Sequence, residues 1–323
     1  MKEQVPSFDA DDFAKIVKEH YGIEGEISPL VSFEDQNARV KTPTQKYVLK
    51  ISNKKWPRSF VQMQSDVLGH LKQTAPNLTF PSVVKSLDGK IMVFVDGFAV
   101  RLLTYLEGDV LANMPRNSEL YCDVGRFLGQ FSKAMQSFSP EAHEGSDVEW
   151  KLDHVIECKK YLPEVVDEDT RDRISRLFEV YEKKILPKVS GLRKAIIHSD
   201  ANEQNFLIDP SNPTKITGLI DFGEMQLGSQ VNELAITLAY GLLGEDDIEM
   251  ASSNIINGYM DEFPLEQQEL DILYYLMAMR LVTTITMSSY SSKLFPENEY
   301  ILVAQKPACA LLKKLEQEKY ILN

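Results

Sequence analysis

The pattern of apolar and polar residues changes character near residue 106. Before that point, short runs of β-branched and aromatic residues are separated by turn residues, which predicts a strand-rich region. The predicted strands cover residues 27–31, 39–41, 47–51, 91–95 and 99–105. Because short turns such as Asp96-Gly97 connect them, the simplest arrangement is an antiparallel meander.

Two helices accompany the predicted strands. Apolar residues at helical spacing predict a helix that Ser7 caps and that runs to His20, with Gly22 at its end. A second helix is predicted over residues 60–71, whose apolar positions fall on one face. Residues 1–106 are therefore predicted to form a small α+β domain.

Residues 107–323 are predicted to form a larger, mainly helical domain. Helical periodicity covers residues 119–138, 150–161, 170–188, 231–243 and 266–288. Two short apolar runs, 206–208 and 216–220, flank the turn 209–213 and predict a β-hairpin within this helical part.

Composition limits the classes of function. The formal net charge of −13 disfavours binding to nucleic acid or anionic lipid and would attract a cationic ligand, although an acidic surface also serves solubility alone. No apolar run is long enough to span a membrane, so we expect a cytoplasmic protein. Cys122, Cys158 and Cys309 match no zinc or redox spacing, and we expect reduced thiols.

The predicted hairpin is preceded by a motif that carries chemistry. His198, Asp200 and Asn205 form the pattern H-x-D-x-x-x-x-N, which is the spacing of a kinase catalytic loop. Phosphoryl transfer needs a carboxylate that takes the proton of the acceptor hydroxyl, which we assign to Asp200. Asn205 supplies an amide oxygen that can hold a metal ion. His198 is expected to support the loop through hydrogen bonds.

Two further residues complete the predicted phosphate site. Asp221 begins the triplet Asp-Phe-Gly after the second hairpin strand, and we predict that it is the main Mg²⁺ ligand. Lys50 lies within an alternating strand, from which a cation can reach nucleotide phosphates. Residues 32–39 are expected to cover the nucleotide as a loop without glycine.

Four stretches of the sequence resemble the aminoglycoside phosphotransferase and choline kinase superfamily, and within it most closely hydroxylysine kinases. They are SFEDQN, YVLKI, VRLLTYLEG, and HSDANEQNFLI followed by LIDFGE. The resemblance implies a two-lobed, protein-kinase-like α+β fold and an ATP- or GTP-dependent kinase. It also implies that Thr104, Tyr105 and Leu106 hold the nucleotide base, and that the acceptor binds over the helical lobe.

The sequence departs from the superfamily at three positions. Gln64 stands where many members carry the glutamate that pairs with the strand lysine, so an amide is expected near Lys50. Ser199 replaces a common glycine, and Glu224 replaces a common aspartate. None of these changes removes a required oxygen or amine.

The identity of the acceptor stays open at this point. Hydroxylysine, homoserine, choline, ethanolamine and aminoglycosides all present a hydroxyl near a cationic amine. Glu203, Glu224 and Asp271 are candidates for holding the amine, and Arg280 for holding an amino-acid carboxylate, although each also reads as an ordinary surface charge.

Two other classes of function compete with a small-molecule kinase. A protein kinase is disfavoured because the chain has no G-x-G-x-x-G loop, no A-P-E after Gly223 and little room for an activation segment. A non-catalytic nucleotide-binding regulator would keep the nucleotide site without turnover. The sequence leaves the oligomeric state open.

Overall fold

The structure is a computed structural model that describes residues 4–32, 35–139 and 150–322. The described residues divide into two compact units. The first unit contains the chain up to Gly108 together with Thr217–Gly223, and the second contains the remainder. The Asp-Phe-Gly triplet, late in the sequence, therefore belongs to the first unit.

The first unit begins with helix α1, Ala10–Tyr21. Asp9, and not the predicted Ser7, caps this helix, because the Asp9 and Asp12 side chains accept hydrogen bonds from each other's backbone in a capping box. The predicted end is confirmed: Gly22 adopts φ 67°, the left-handed conformation that favours glycine.

The first unit contains an antiparallel sheet. Its strands are β1 Glu26–Leu30, β2 Gln36–Lys41, β3 Lys46–Ser52, β4 Val83–Val84, β5 Val93–Val95 and β6 Phe98–Thr104. The order is β1-β2-β3-β6-β4, and β5 also pairs with β6. The predicted meander is wrong beyond β3: the almost wholly buried strand β6 inserts beside β3. The β5–β6 hairpin turns at Asp96 and Gly97, both with positive φ, as the Asp-Gly pair predicts.

Strand β2 also begins earlier than predicted, at Gln36. Residues 36–39 of the expected covering loop, 32–39, therefore belong to the strand. Residues 33–34 of that loop lie outside the described residues. Helix α2, Arg58–Thr74, confirms the second predicted helix. Its buried face includes Phe60, Met63 and Val67.

The second unit is mainly helical. Its α-helices are α3 Ser118–Met135, α4 Glu168–Val180, α5 Leu186–Val189, α6 Val231–Gly241, α7 Ile248–Glu262, α8 Gln267–Leu270, α9 Leu273–Leu294 and α10 Gln305–Gln317. The predicted helix over 150–161 is a 3₁₀ segment, Leu152–Glu164, and the one over 170–188 is interrupted by a π-turn at Tyr181–Ile185. None of the described helices is both long and apolar enough to cross a membrane.

Helices α3 and α7 pack with their backbones almost in contact. A Cβ atom at Gly125 would lie 2.0 Å from the Ile255 carbonyl oxygen, and one at Gly258 would lie 2.0 Å from the Cys122 carbonyl oxygen. Both distances are far below van der Waals contact, so only glycine permits this approach. Tyr259 on α7 also bonds through its hydroxyl to Ser132 on α3.

Short strands frame the predicted catalytic loop. Strand β8, Lys194–Ile197, ends directly before His198 and pairs antiparallel with β11, Gln226–Ser229. Strand β9, Phe206–Ile208, begins directly after Asn205 and pairs antiparallel with β7, Asp109–Val110. Both strands of the predicted hairpin, β9 and β10 (Ile216–Leu219), are present.

Candidate active site

A buried carboxyl group holds the start of the loop 198–205. Glu233 on α6 is inaccessible to solvent, and its Oε2 accepts a hydrogen bond of 2.6 Å from the backbone N–H of His198. The backbone N–H of Ser199 also bonds to this carboxyl group. Burial, together with the nearby charge of Asp200, raises the pKa of Glu233 to about 8. The role of Glu233 was not predicted from the sequence, because its apolar neighbours on α6 indicate only a helix of the core.

Ser199 occupies a backbone conformation that favours glycine. Its φ is 69°, in the left-handed region that L-residues seldom adopt. The side chain compensates in part, because Gln226 Nε2 donates a short hydrogen bond to its hydroxyl. This left-handed turn sets the direction in which the backbone enters the next residue, Asp200.

Asp200 and Asn205 are brought together as predicted by their spacing. Asn205 Nδ2 donates to the carbonyl oxygen of Asp200 at 2.7 Å and to its Oδ2 at 3.0 Å. Both amide hydrogens are thus used within the loop, and no described residue donates to Asn205 Oδ1. His198, fully buried, accepts the Asp200 N–H on Nδ1 at 3.3 Å, which is the supporting contact that we expected of it.

Arg280 on α9 lies beside Asp200. Its Nη2 is 3.5 Å from Asp200 Oδ1, and its Nη1 donates to the carbonyl oxygen of Trp150 at 3.3 Å. The Arg280 side chain is 5% exposed and the Asp200 side chain 23%. A buried guanidinium group therefore lies directly against the carboxylate that the sequence marks as the base.

The first unit contains the other predicted phosphate ligands. Lys50 on β3 donates to Asp221 Oδ1 at 2.8 Å. The lysine side chain is 10% exposed, whereas that of Asp221 is 48% exposed. Asp221 has φ 59°, an uncommon conformation for a residue other than glycine. The structure thus brings together these two predicted residues and leaves much of the carboxylate accessible.

Gln64 does not contact Lys50, contrary to the expected amide partner. Its Nε2 donates to the Gly223 carbonyl oxygen at 3.1 Å, and its Oε1 accepts from Arg101 Nη2 at 2.6 Å. Arg101 lies on β6 directly across from Lys50. Burial lowers the pKa of Arg101 to about 10. In the sequence, Arg101 is only a single charged residue in an otherwise apolar strand, so its contact with Gln64 was not predicted.

The predicted base-binding segment follows β6. Thr104 Oγ1 accepts the N–H of Ser82 at 2.8 Å, and the N–H of Tyr105 bonds to the carbonyl oxygen of Lys46 at 3.1 Å. Within the described part of the chain, no backbone bond engages Leu106. Leu106 therefore offers the peptide groups that a nucleotide base could use.

The acidic candidates for the acceptor amine differ in environment. Asp271 is exposed and accepts a hydrogen bond from Gln267. Glu203 is mostly buried, which raises the pKa of its carboxyl group, and its Oε2 has no partner among the described residues. Glu224 contributes to the electrostatic environment of Arg280. These positions distinguish a surface acid, Asp271, from two acids within or near the loop.

The described residues contain no cluster of three or more His, Cys, Asp or Glu side chains suited to a metal. Of the two predicted Mg²⁺ ligands, Asn205 belongs to the second unit and Asp221 to the first. Each has an oxygen of the type that Mg²⁺ prefers: the side-chain oxygen Oδ1 of Asn205, and the half-exposed carboxylate of Asp221.

The sequence is similar to those of known phosphotransferases. A family profile described as the phosphotransferase enzyme family matches residues 26–259. A hydroxylysine kinase from Xenopus laevis is 28% identical over 93% of this chain and 88% of its own length. One from Mus musculus is also 28% identical, over 96% of this chain and 90% of its own. The predicted resemblance is confirmed.

Solved structures agree with the fold. A microcompartment-associated aminopropanol kinase has a TM-score of 0.75 and 16% identity, and the match covers 95% of this chain and 97% of that one. An amicoumacin kinase in complex with AMP-PNP and Ca²⁺ has a TM-score of 0.71 and 15% identity, covering 95% and 94%. The predicted kinase-like α+β fold is confirmed.

Proposed function

Because the chain belongs to the phosphotransferase enzyme family and so transfers phosphate to a hydroxyl acceptor, we propose that the acceptor is a hydroxylated amino acid or amino alcohol. Hydroxylysine is the first candidate. The observation that carries this proposal is the similarity to hydroxylysine kinases along nearly the whole chain. The donor is ATP or GTP, and the need for a nucleoside triphosphate favours the cytoplasm.

Asp200 takes the proton of the acceptor hydroxyl in this proposal. Asn205 donates one hydrogen bond to its carboxylate, at Oδ2, and one to its backbone carbonyl oxygen. Glu233 and His198 accept hydrogen bonds from backbone N–H groups of the loop up to and including that of Asp200. Such positioning matters because phosphoryl transfer depends on orientation and charge more than on covalent chemistry. Asp200 remains partly exposed, as a proton acceptor must.

The donor is held by the other predicted residues. Lys50 binds nucleotide phosphates and exchanges part of its contact with Asp221 for them, and Thr104, Tyr105 and Leu106 receive the base. Gln64 acts indirectly, by holding the Gly223 carbonyl beside Asp221. Asn205 and Asp221 would hold Mg²⁺, which neutralises phosphate charge when bound.

An acceptor screen tests this function. The chain is incubated with ATP or GTP, Mg²⁺ and a panel of acceptors, and nucleoside diphosphate is measured above the acceptor-free background. The panel contains hydroxylysine, homoserine, ethanolamine, choline, 1-amino-2-propanol and an aminoglycoside. We expect the highest kcat/KM with hydroxylysine or a close analogue. Nucleotide binding without turnover on any acceptor would instead identify a regulator.

A further inference from the structure

Arg280 has more hydrogen-bond donors than its surroundings use. A guanidinium group carries five N–H bonds. The group bonds to the Trp150 carbonyl oxygen, to the Tyr240 hydroxyl and to Asp200, and the last of these contacts is long at 3.5 Å. The buried Nε has no partner among the described residues. Leaving donors of a buried charged group unpaired is costly, which points to an anionic ligand.

Two aromatic rings fix the guanidinium group in this position. Its central carbon lies 5.4 Å from the centre of the Trp150 ring and 5.3 Å from that of the Tyr240 ring. These contacts favour the cation and restrict its movement. The hydroxyl of Tyr240 is itself anchored to Thr284, whose hydroxyl bonds to the Arg280 backbone. The donors of Arg280 are therefore preorganised beside Asp200, within the second unit.

We propose that Arg280 binds the carboxylate of the acceptor, so that the preferred substrates of this enzyme are hydroxylated amino acids and not amino alcohols. This inference rests on the proposed function and narrows it. Among the described residues, Asp200 is the one carboxylate within ion-pair distance of Arg280. A substrate carboxylate supplies the second anion, and arginine can bind it with two parallel hydrogen bonds.

The contact between Arg280 and Asp200 also limits the shape of the acceptor. One end of the molecule lies against the guanidinium group while its hydroxyl reaches the neighbouring carboxylate. Both groups must therefore belong to one small molecule. Choline, ethanolamine and aminoglycosides have no carboxylate and leave the Arg280 donors unpaired, which lowers their transition-state affinity.

Matched acceptors test this proposal. The initial rate is measured with hydroxylysine and with its primary amide, which keeps the shape, the hydroxyl and the amines but removes the negative charge. For the wild type we expect kcat/KM for the acid to exceed that for the amide on the order of a hundredfold. The ratio cancels general losses of activity.

Variants assign the preference to Arg280. Arg280→Gln should bring the acid-to-amide ratio close to one, mainly through a higher KM for the acid. Arg280→Lys keeps a positive charge without the bidentate geometry and should give an intermediate ratio. Arg116→Gln is the matched control, since Arg116 lies in the same unit, is largely buried and bonds to the Gly241 and Leu243 carbonyl oxygens. It should leave the ratio unchanged.

The outcomes separate this inference from the proposed function. Equal rates on acid and amide in the wild type, or an unchanged ratio in Arg280→Gln, overturn the carboxylate assignment while leaving the kinase intact. Thermal denaturation shows whether Arg280→Gln is folded. If it is not, Arg280→Lys decides, and an acid-to-amide ratio equal to that of the wild type in this variant counts against the proposal. Absence of turnover on every acceptor overturns both.

Discussion

In the first unit, Lys50 and Arg101 lie opposite each other on neighbouring strands, and the carboxylate that contacts Lys50 is half exposed. In the second unit, the loop carrying Asp200 is held by the buried carboxyl group of Glu233, which accepts a hydrogen bond from the backbone N–H of His198. The first arrangement leaves a charged group accessible, whereas the second uses a buried acid to fix a backbone. Under the proposed function, the first arrangement would bind phosphate and the second would position the acceptor.

The strongest way to test this comparison is Asp200→Ala. We expect kcat to fall on the order of a thousandfold or more, because the proton acceptor is lost. The nucleotide dissociation constant, measured by calorimetry, should stay close to that of the wild type. Turnover near the wild-type rate would show that another group takes the proton.

The counterpart in the first unit is Asp221→Asn. We expect Mg²⁺-dependent nucleotide affinity to fall on the order of 10- to 100-fold, since a negative charge that compensates both the metal and Lys50 is removed. Titrating nucleotide at several Mg²⁺ concentrations measures this effect. If the Mg²⁺ dependence matches that of the wild type, the metal has a different ligand.

Glu233→Gln tests the buried carboxyl group through pH. The pKa of Glu233 is about 8 in the folded chain against an ordinary value of 4.5, so between these values the folded state binds more protons than the unfolded state. Stability therefore falls as pH rises through this window, by at most about 1.4 kcal/mol per pH unit. The variant lacks this loss.

The measurement is the free energy of unfolding of both proteins in denaturant at pH 5, 6, 7 and 8. The difference between them isolates Glu233 from the neighbouring ionisable groups Asp200, His198 and Tyr259. We expect the wild type to lose stability relative to the variant as pH increases. Parallel curves would mean that Glu233 is ionised throughout the range.

Gln64→Met probes how the first unit holds the turn after Asp221. The change should cost about 2 kcal/mol of unfolding free energy, because a buried Arg101 donor and the Gly223 carbonyl both lose their partner. The matched control is Gln62→Met on the same helix, where the amide bonds only to the exposed Asp66. Equal stability of the two variants would contradict the assigned role of Gln64.

The smallest expected effect concerns Ser199. Ser199→Gly and Ser199→Ala both remove the hydroxyl that accepts from Gln226, but only glycine tolerates φ 69° without strain. The glycine variant should be more stable than the alanine variant by about 1 kcal/mol. Thermal denaturation compares them. If alanine is the more stable of the two, the left-handed turn is not retained in solution.

Much of the fold could be predicted because local signals were strong. The β5–β6 hairpin followed from one Asp-Gly pair, and helices α2, α3, α6 and α9 followed from their apolar spacing. The position of β6 beside β3 could not be predicted, because the order of strands depends on how the strands pack in the complete core and not on local sequence. Helix α7 was missed because Ser252, Asn254 and Gly258 weaken its pattern.

The candidate site divides in a similar way. The spacing of His198, Asp200 and Asn205 predicted contacts that the structure contains, because these residues share one short loop. The roles of Arg101 and Glu233 could not be predicted from the sequence. Each lies in an apolar segment, and its hydrogen-bond partners are far away along the chain. Gln64 illustrates the same point, because its partners are Arg101 and Gly223 and not the lysine expected from the superfamily.

The close approach of α3 and α7 has a consequence for divergence within the superfamily. At Gly125 and Gly258 even the smallest side chain would collide with the opposing main chain. A homologue with alanine or a larger residue at either position must have a wider separation between these two helices. Glycine at both positions therefore indicates a short distance between the two helices, and replacing either glycine alone would force the helices apart.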